Sequence, residues 1–180
     1  MSKKVLIIST SVRANSNSEA LANAFAEGAR EAGNEVEMVS LRGKSLAFCR
    51  GCLACKKLGR CAIQDDANSI IEKLMNAEVV VWATPIYYYQ MSGQMKTMMD
   101  RANALYPESY KFRDVYLLST ATEDGLHVDE GAVKGLNCWI ACFERARFAG
   151  KVFAGGIEDP GAIAGHKALA EARSMGRTIA

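Results

Sequence analysis

Short, uninterrupted apolar runs recur along this chain with amphipathic helical stretches between them, and no other feature constrains its fold as much. Val5-Leu6-Ile7-Ile8 and Val79-Val80-Val81-Trp82 show no alternation of apolar with polar residues, so both faces of those strands must be buried. Further strand signals lie at 35–41, 114–120 and 151–154, and the third strand extends over 78–84. Helical patterns occupy 18–32, a segment through Met75 with Ile70, Ile71 and Leu74 on one face, 94–104, 129–147 and 163–176. Asp65, Asp66 and Asn68 are the expected caps of the second helix, and Met95, Met98 and Met99 the inward face of the third. Strands that alternate with helices and are buried on both faces predict a parallel sheet covered on both sides. With right-handed crossovers this is an α/β three-layer doubly wound sandwich, five strands in the order 2-1-3-4-5. At 180 residues, 49% of them hydrophobic, one domain over 1–180 accounts for the whole chain.

Charge and composition remove several function classes. The formal net charge is +2, and basic residues are spread rather than blocked, which argues against a nucleic-acid partner. The start resembles a signal peptide only as far as Ile8, because a polar run follows from Ser9 to Ser18. No apolar stretch approaches the length of a membrane span. A cytoplasmic location is therefore expected, and there the six cysteines read as metal ligands or redox groups before structural disulfides.

In a doubly wound sheet, ligands bind at the carboxyl ends of the strands where the strand order reverses. Here that point lies between the first and third strands. The first strand runs into Ser9-Thr10-Ser11-Val12-Arg13-Ala14-Asn15-Ser16-Asn17-Ser18, directly before a helix. Hydroxyls, small residues and a helix N-terminus favour an anion, with Arg13 to neutralise it and Ser11, Ser16, Asn17 and Ser18 as donors. This is neither a Walker loop nor a GxGxxG fingerprint. The third strand runs into Thr84-Pro85-Ile86-Tyr87-Tyr88-Tyr89-Gln90-Met91-Ser92-Gly93, which sets three aromatics beside the same crevice to take a planar ring.

These two loops resemble those of the NAD(P)H-dependent FMN reductase-like branch of the flavodoxin-like proteins. The phosphate pattern G-S-x-R-x-x-S-N-S/T matches from Thr10 through Ser18, with Thr10 in place of the usual glycine. The ring pattern S/T-P-x-Y-x-x-x-x-S-x-x-M-K-x-x-x-D-R matches from Thr84 through Arg101. The resemblance implies a flavodoxin-like fold that binds flavin mononucleotide (FMN). Ser11, Arg13, Ser16, Asn17 and Ser18 would hold the phosphate, and Pro85, Ile86, Tyr87 and Tyr88 would flank the isoalloxazine. The loop after the fourth strand, with Thr120, Thr122 and Gly125, would close on the flavin. It also implies NAD(P)H as co-substrate, a small acceptor such as a quinone, nitro or azo compound or flavin, and a homodimer.

A second signal is Cys49-x2-Cys52-x2-Cys55-x5-Cys61. Four thiolates at this spacing suit the four iron corners of a cubane cluster or one tetrahedral zinc, and packed or redox-active thiols without metal are a third reading. The spacing resembles that of iron-sulfur flavoproteins, which pair a [4Fe–4S] cluster with FMN. The longer pattern Cys-x-Gly-Cys-x-x-Cys…Gly-x-Cys-x-Ile-x-Asp-Asp, from Cys49 to Asp66, also resembles cluster-free members of the wider family. Two alternatives to the reductase therefore stand: an electron carrier served by a ferredoxin-like partner, and a cysteine-based redox or metal sensor. Cys138 and Cys142 read as core residues of the 129–147 helix, and His127 and His166 as surface or loop groups. No GxSxG elbow or HExxH motif occurs, so no dedicated catalytic side chain is assigned.

Overall fold

A computed structural model describes residues 2–106 and 110–180. In chain order its elements are β1 (Lys4–Ser9), α1 (Asn17–Glu31), β2 (Glu35–Ser40), α2 (Cys55–Leu58), α3 (Ala67–Asn76), β3 (Val79–Tyr87), β4 (Gln90–Met91), α4 (Gly93–Arg101), β5 (Asp114–Thr120), α5 (Glu130–Ile140), β6 (Arg147–Ala154) and α6 (Lys167–Arg177). A 3-10 turn, Ala102–Leu105, extends α4. The parallel strands lie in the order β2-β1-β3-β5-β6, which is the expected 2-1-3-4-5 counted over parallel strands alone. β4 is an antiparallel addition that folds back on the end of β3.

Strand residues alternate between two buried layers. Leu6, Ile8, Val80, Trp82, Val115 and Leu117 face one core with α3, α4 and α5. Val5, Ile7, Val79, Val81, Tyr116 and Leu118 face the other with α1 and α6. Full burial of one such side chain stabilises by about 1.5–3 kcal/mol, so these layers dominate the fold's energetics. α1 contributes Leu21, Ala22, Phe25, Ala26 and Ala29 at helical spacing, and Gly33, with φ of 85°, lets the chain turn into β2. α1 meets α6 backbone to backbone: a Cβ at Gly28 would overlap the Arg173 carbonyl, and one at Gly176 the Phe25 carbonyl.

Several boundaries differ from the sequence reading. α5 stops at Ile140, and tight turns closed by the Cys142, Phe143 and Ala146 N–H groups on the Trp139, Ile140 and Phe143 carbonyls lead into β6, which begins at Arg147 rather than at 151. Pairing of the Arg147 N–H with the Arg113 carbonyl (2.7 Å) starts that strand despite its charged first residue. α6 begins at Lys167 rather than 163, because Gly165 sits at φ 77° and His166 caps the helix by accepting from the Ala168 N–H at 3.2 Å. Cys138 and Cys142 are exposed, not core. The buried stripe of α5 is Ala132, Leu136 and Ile140, and at about 100° per residue position 138 falls on the opposite face.

Candidate functional site

The loop from Thr10 to Ser16 carries β1 into α1. The Thr10 hydroxyl is buried and donates to the Ala83 carbonyl (3.0 Å), with the Ser92 hydroxyl also 3.0 Å away. Ser92 in turn caps α4 through the Met95 N–H (3.2 Å), and its own N–H donates to Thr84 Oγ1 (3.0 Å). Thr10 thus ties the loop after β1 to the loop after β3. Ser16, in extended backbone, caps α1 by accepting from the Glu19 N–H (3.4 Å) and lies 3.0 Å from the Ser18 hydroxyl. The unpaired N–H groups of the first turn of α1 make this a site of positive potential.

A cleft at the carboxyl ends of β1, β3 and β5 is lined by Ser11, Arg13, Ser16, Asn17, Pro85, Ile86, Tyr87, Thr120 and Thr122, together with Ala121, Ile157 and Glu158. Nine of the twelve residues expected to bind FMN therefore share one cleft. The other three do not line it. Ser18 is buried behind Ser16, Tyr88 is 98% exposed at the tip of the β3–β4 turn, and Gly125 lines a neighbouring hollow with His166 and Lys167. A roomier hollow around Lys4, Glu35 and Glu72 lies at the amino ends of the strands, the wrong end for a ligand in this topology.

Sequence reasoning missed the loop after β6. Arg13 donates to the Glu158 carbonyl (2.9 Å), while Asn17 donates to the Asp159 carbonyl (2.9 Å) and accepts from the Ile163 N–H (3.3 Å). Asn17 thereby braces the loop after β6 against the start of α1. The Asp159-Pro160-Gly161 turn after the last strand was the available signal.

The donor set fits FMN. Ser11, Ser16 and Arg13 with the α1 terminus suit a phosphate, and Pro85, Ile86 and Tyr87 supply an apolar edge for a flat ring.

The cysteine segment is arranged differently. Cys49 and Cys52 are exposed, Cys55 accepts from Asn103 Nδ2 (3.2 Å), and Cys61 is buried with its sulfur accepting from Arg101 Nε (3.2 Å). Among the described residues no three Cys, His, Asp or Glu side chains come together as metal ligands. The segment is organised by Arg101, whose side chain is fully buried. Its remaining donors go to the Ala47 carbonyl (2.8 Å), the Ile63 carbonyl (3.2 Å) and both oxygens of Asp65 (2.6 and 2.8 Å). Burial pushes the Asp65 carboxyl up, but hydrogen bonds from Arg101 and from the Ala47 and Ala67 N–H groups hold it below the usual aspartate range. Of the expected caps, only Asp65 bonds the start of α3, through Ala67 (3.1 Å). Asp66 accepts from the Ser45 N–H (2.8 Å), and Asn68 both accepts from the Cys61 N–H (3.0 Å) and donates to its carbonyl (3.2 Å), so these side chains fasten the cysteine loop instead.

Residues 3–143 match the family model described as NADPH-dependent FMN reductase. An iron-sulfur flavoprotein of Methanocaldococcus jannaschii is 37% identical over 102 residues, covering 57% of this chain and 53% of that protein. One from Methanosarcina thermophila is 32% identical over 111 residues, covering 62% and 58%. The chain thus spans about half the length of the curated relatives it matches. Among solved structures, an NAD(P)H:quinone oxidoreductase from Methanothermobacter marburgensis superposes with a TM-score of 0.72 at 16% identity, covering 100% of both chains, a likeness of fold.

Proposed function

Because this chain belongs to the NADPH-dependent FMN reductase family, we propose that it binds FMN in the cleft between β1, β3 and β5 and passes electrons from NAD(P)H to a small acceptor. The observation that carries this reading is the convergence of three separately coded loops, at Ser11–Asn17, Pro85–Tyr87 and Thr120–Thr122, on one cleft. Bound FMN supplies the redox chemistry, since it exchanges either one or two electrons. The protein's part is to hold and orient. The α1 terminus with Ser11 and Ser16 takes the phosphate, and Arg13, steered by the Glu158 carbonyl, offsets its charge. Pro85, Ile86 and Tyr87 would shield the ring from water, with Thr120 and Thr122 in the same lining. The open side of the cleft serves NAD(P)H and the acceptor in turn, a quinone, nitro or azo compound or free flavin. A homodimer and a cytoplasmic location belong to the same reading, the first testable by light scattering.

The iron-sulfur carrier is the second reading, supported by the names of the similar proteins from Methanocaldococcus jannaschii and Methanosarcina thermophila. An anaerobic absorption spectrum with iron and labile-sulfide analysis separates the two. Flavin bands, no iron and NAD(P)H oxidation on addition of a quinone are expected of the reductase. About four irons per chain would transfer Cys49, Cys52, Cys55 and Cys61 to a cluster, and a ferredoxin-like donor to the partner list. No flavin uptake from added FMN would refute both.

A further inference from the structure

Two loops that line the cleft are joined by side chains at positions that neither loop pattern specifies. The Tyr89 phenol donates to Glu123 Oε2 at 2.8 Å. The other carboxylate oxygen lies 3.4 Å from His127 Nε2, and the Tyr89 ring stacks on the His127 imidazole with centroids 5.9 Å apart. Tyr89 follows the cleft residue Tyr87 by two positions, and Glu123 directly follows the cleft residue Thr122. One contact therefore connects the ring loop to the loop after β5.

Backbone geometry makes this contact more than a surface pair. Tyr88 and Tyr89 occupy the left-handed region, at φ 49° and 62°, in a two-residue hairpin turn that ordinarily takes Asn-Gly. Two aromatic residues there are unfavourable, and Tyr88, out in solvent, adds no packing to offset it. Both sides are instead seated on glycines. A Cβ at Gly131 of α5 would overlap the Tyr89 carbonyl, and one at Gly155 would come within 2.8 Å of the Glu123 carbonyl and 2.6 Å of Asp124 Oδ1. The carboxylate of Glu123 raises the Tyr89 pKa above its ordinary value, so the phenol stays a donor through the neutral range.

We propose that Tyr89 and Glu123, backed by His127, form a clasp that holds the ring loop against the β5 loop. They are positioning residues for the flavin ring and for what reaches its open face, an inference that rests on the FMN reading. Tyr89→Phe removes the donor while keeping the ring, the stack and the glycine seat.

FMN binding to apoprotein, followed by flavin fluorescence with stopped-flow dissociation, and thermal melting of the apoprotein provide the test. The variant should release FMN about three- to tenfold faster with its apo melting point unchanged. Glu123→Ala should behave alike, and the double variant should be no worse than either single one. FMN release from Tyr89→Phe at the wild-type rate, or full additivity in the double variant, would overturn the clasp alone. Wild-type protein that binds no FMN would overturn the cofactor reading and the clasp with it.

Discussion

Replacing Arg101 with Met should be among the most damaging single changes in this protein. All five guanidinium N–H donors are satisfied inside the fold, by Cys61, Ala47, Ile63 and twice by Asp65. Methionine fills much of the space but leaves the Asp65 carboxylate, itself only 7% exposed, without its counter-charge. Breaking one side of a buried pair costs about 3–5 kcal/mol, against a total stability of about 5–15 kcal/mol. For a chain of this size the loss corresponds to a fall in Tm of roughly 6–20 °C. Adding Asp65→Leu removes the stranded charge, and the double variant should recover all but about 1–2 kcal/mol, the remainder being the abandoned Ala47 and Ile63 carbonyls. Urea unfolding followed by circular dichroism measures both. The pair also sets a pH dependence. Asp65 has a folded pKa below its unfolded one, so its contribution is complete above the unfolded value and is lost as pH falls through the folded one, below about pH 4. Asp65→Asn should flatten that acid limb. An Arg101→Met protein within about 1 kcal/mol of wild type, or a double variant no better than the single one, would refute this account.

Other consequences are equally direct. Gly176→Ala should destabilise by about 1–3 kcal/mol in thermal melts, although alanine favours helix, because the new Cβ meets the Phe25 carbonyl and no rotamer can relieve it. A more stable variant would show that the α1–α6 contact yields freely. Ser16→Ala should lower stability by about 1 kcal/mol and weaken FMN binding as well, since one hydroxyl both caps α1 and lines the cleft; isothermal titration and urea curves on one preparation read both. Hydrogen bonds from Arg173 and then Arg177 hold the Glu31 carboxyl at about 2. Carbon-13 NMR should find it still ionised at about pH 3, where exposed glutamates are protonated, and Arg173→Gln should bring it back toward the ordinary range.

What could be read in the sequence, and what could not, follows from how far a residue's partner lies along the chain. Val5–Ile8 and Val79–Trp82 are apolar on both faces, so their central place in the sheet is written locally, as is the serine cap that starts α1. Cys138 misled because type was allowed to override phase: cysteine is usually buried, but the stripe of α5 passes through Leu136 and Ile140 and leaves the Cys138 thiol outside, while Cys142 lies past the end of the helix, in the exposed turn that follows. Arg101 sits in a helix whose methionines point inward, and nothing nearby announces that its own charge is buried too, because the compensating Asp65 lies 36 residues earlier. The loop after β6 was harder still. Arg13 and Asn17 reach it through the carbonyls of Glu158 and Asp159, 145 and 142 residues away, and a bond to a backbone carbonyl places no demand on the side chain that follows it. Such contacts leave no signature in the side chains of the residues whose carbonyls accept them. They become visible only once the parallel strand order has brought the carboxyl ends of β1 and β6 to the same edge of the sheet.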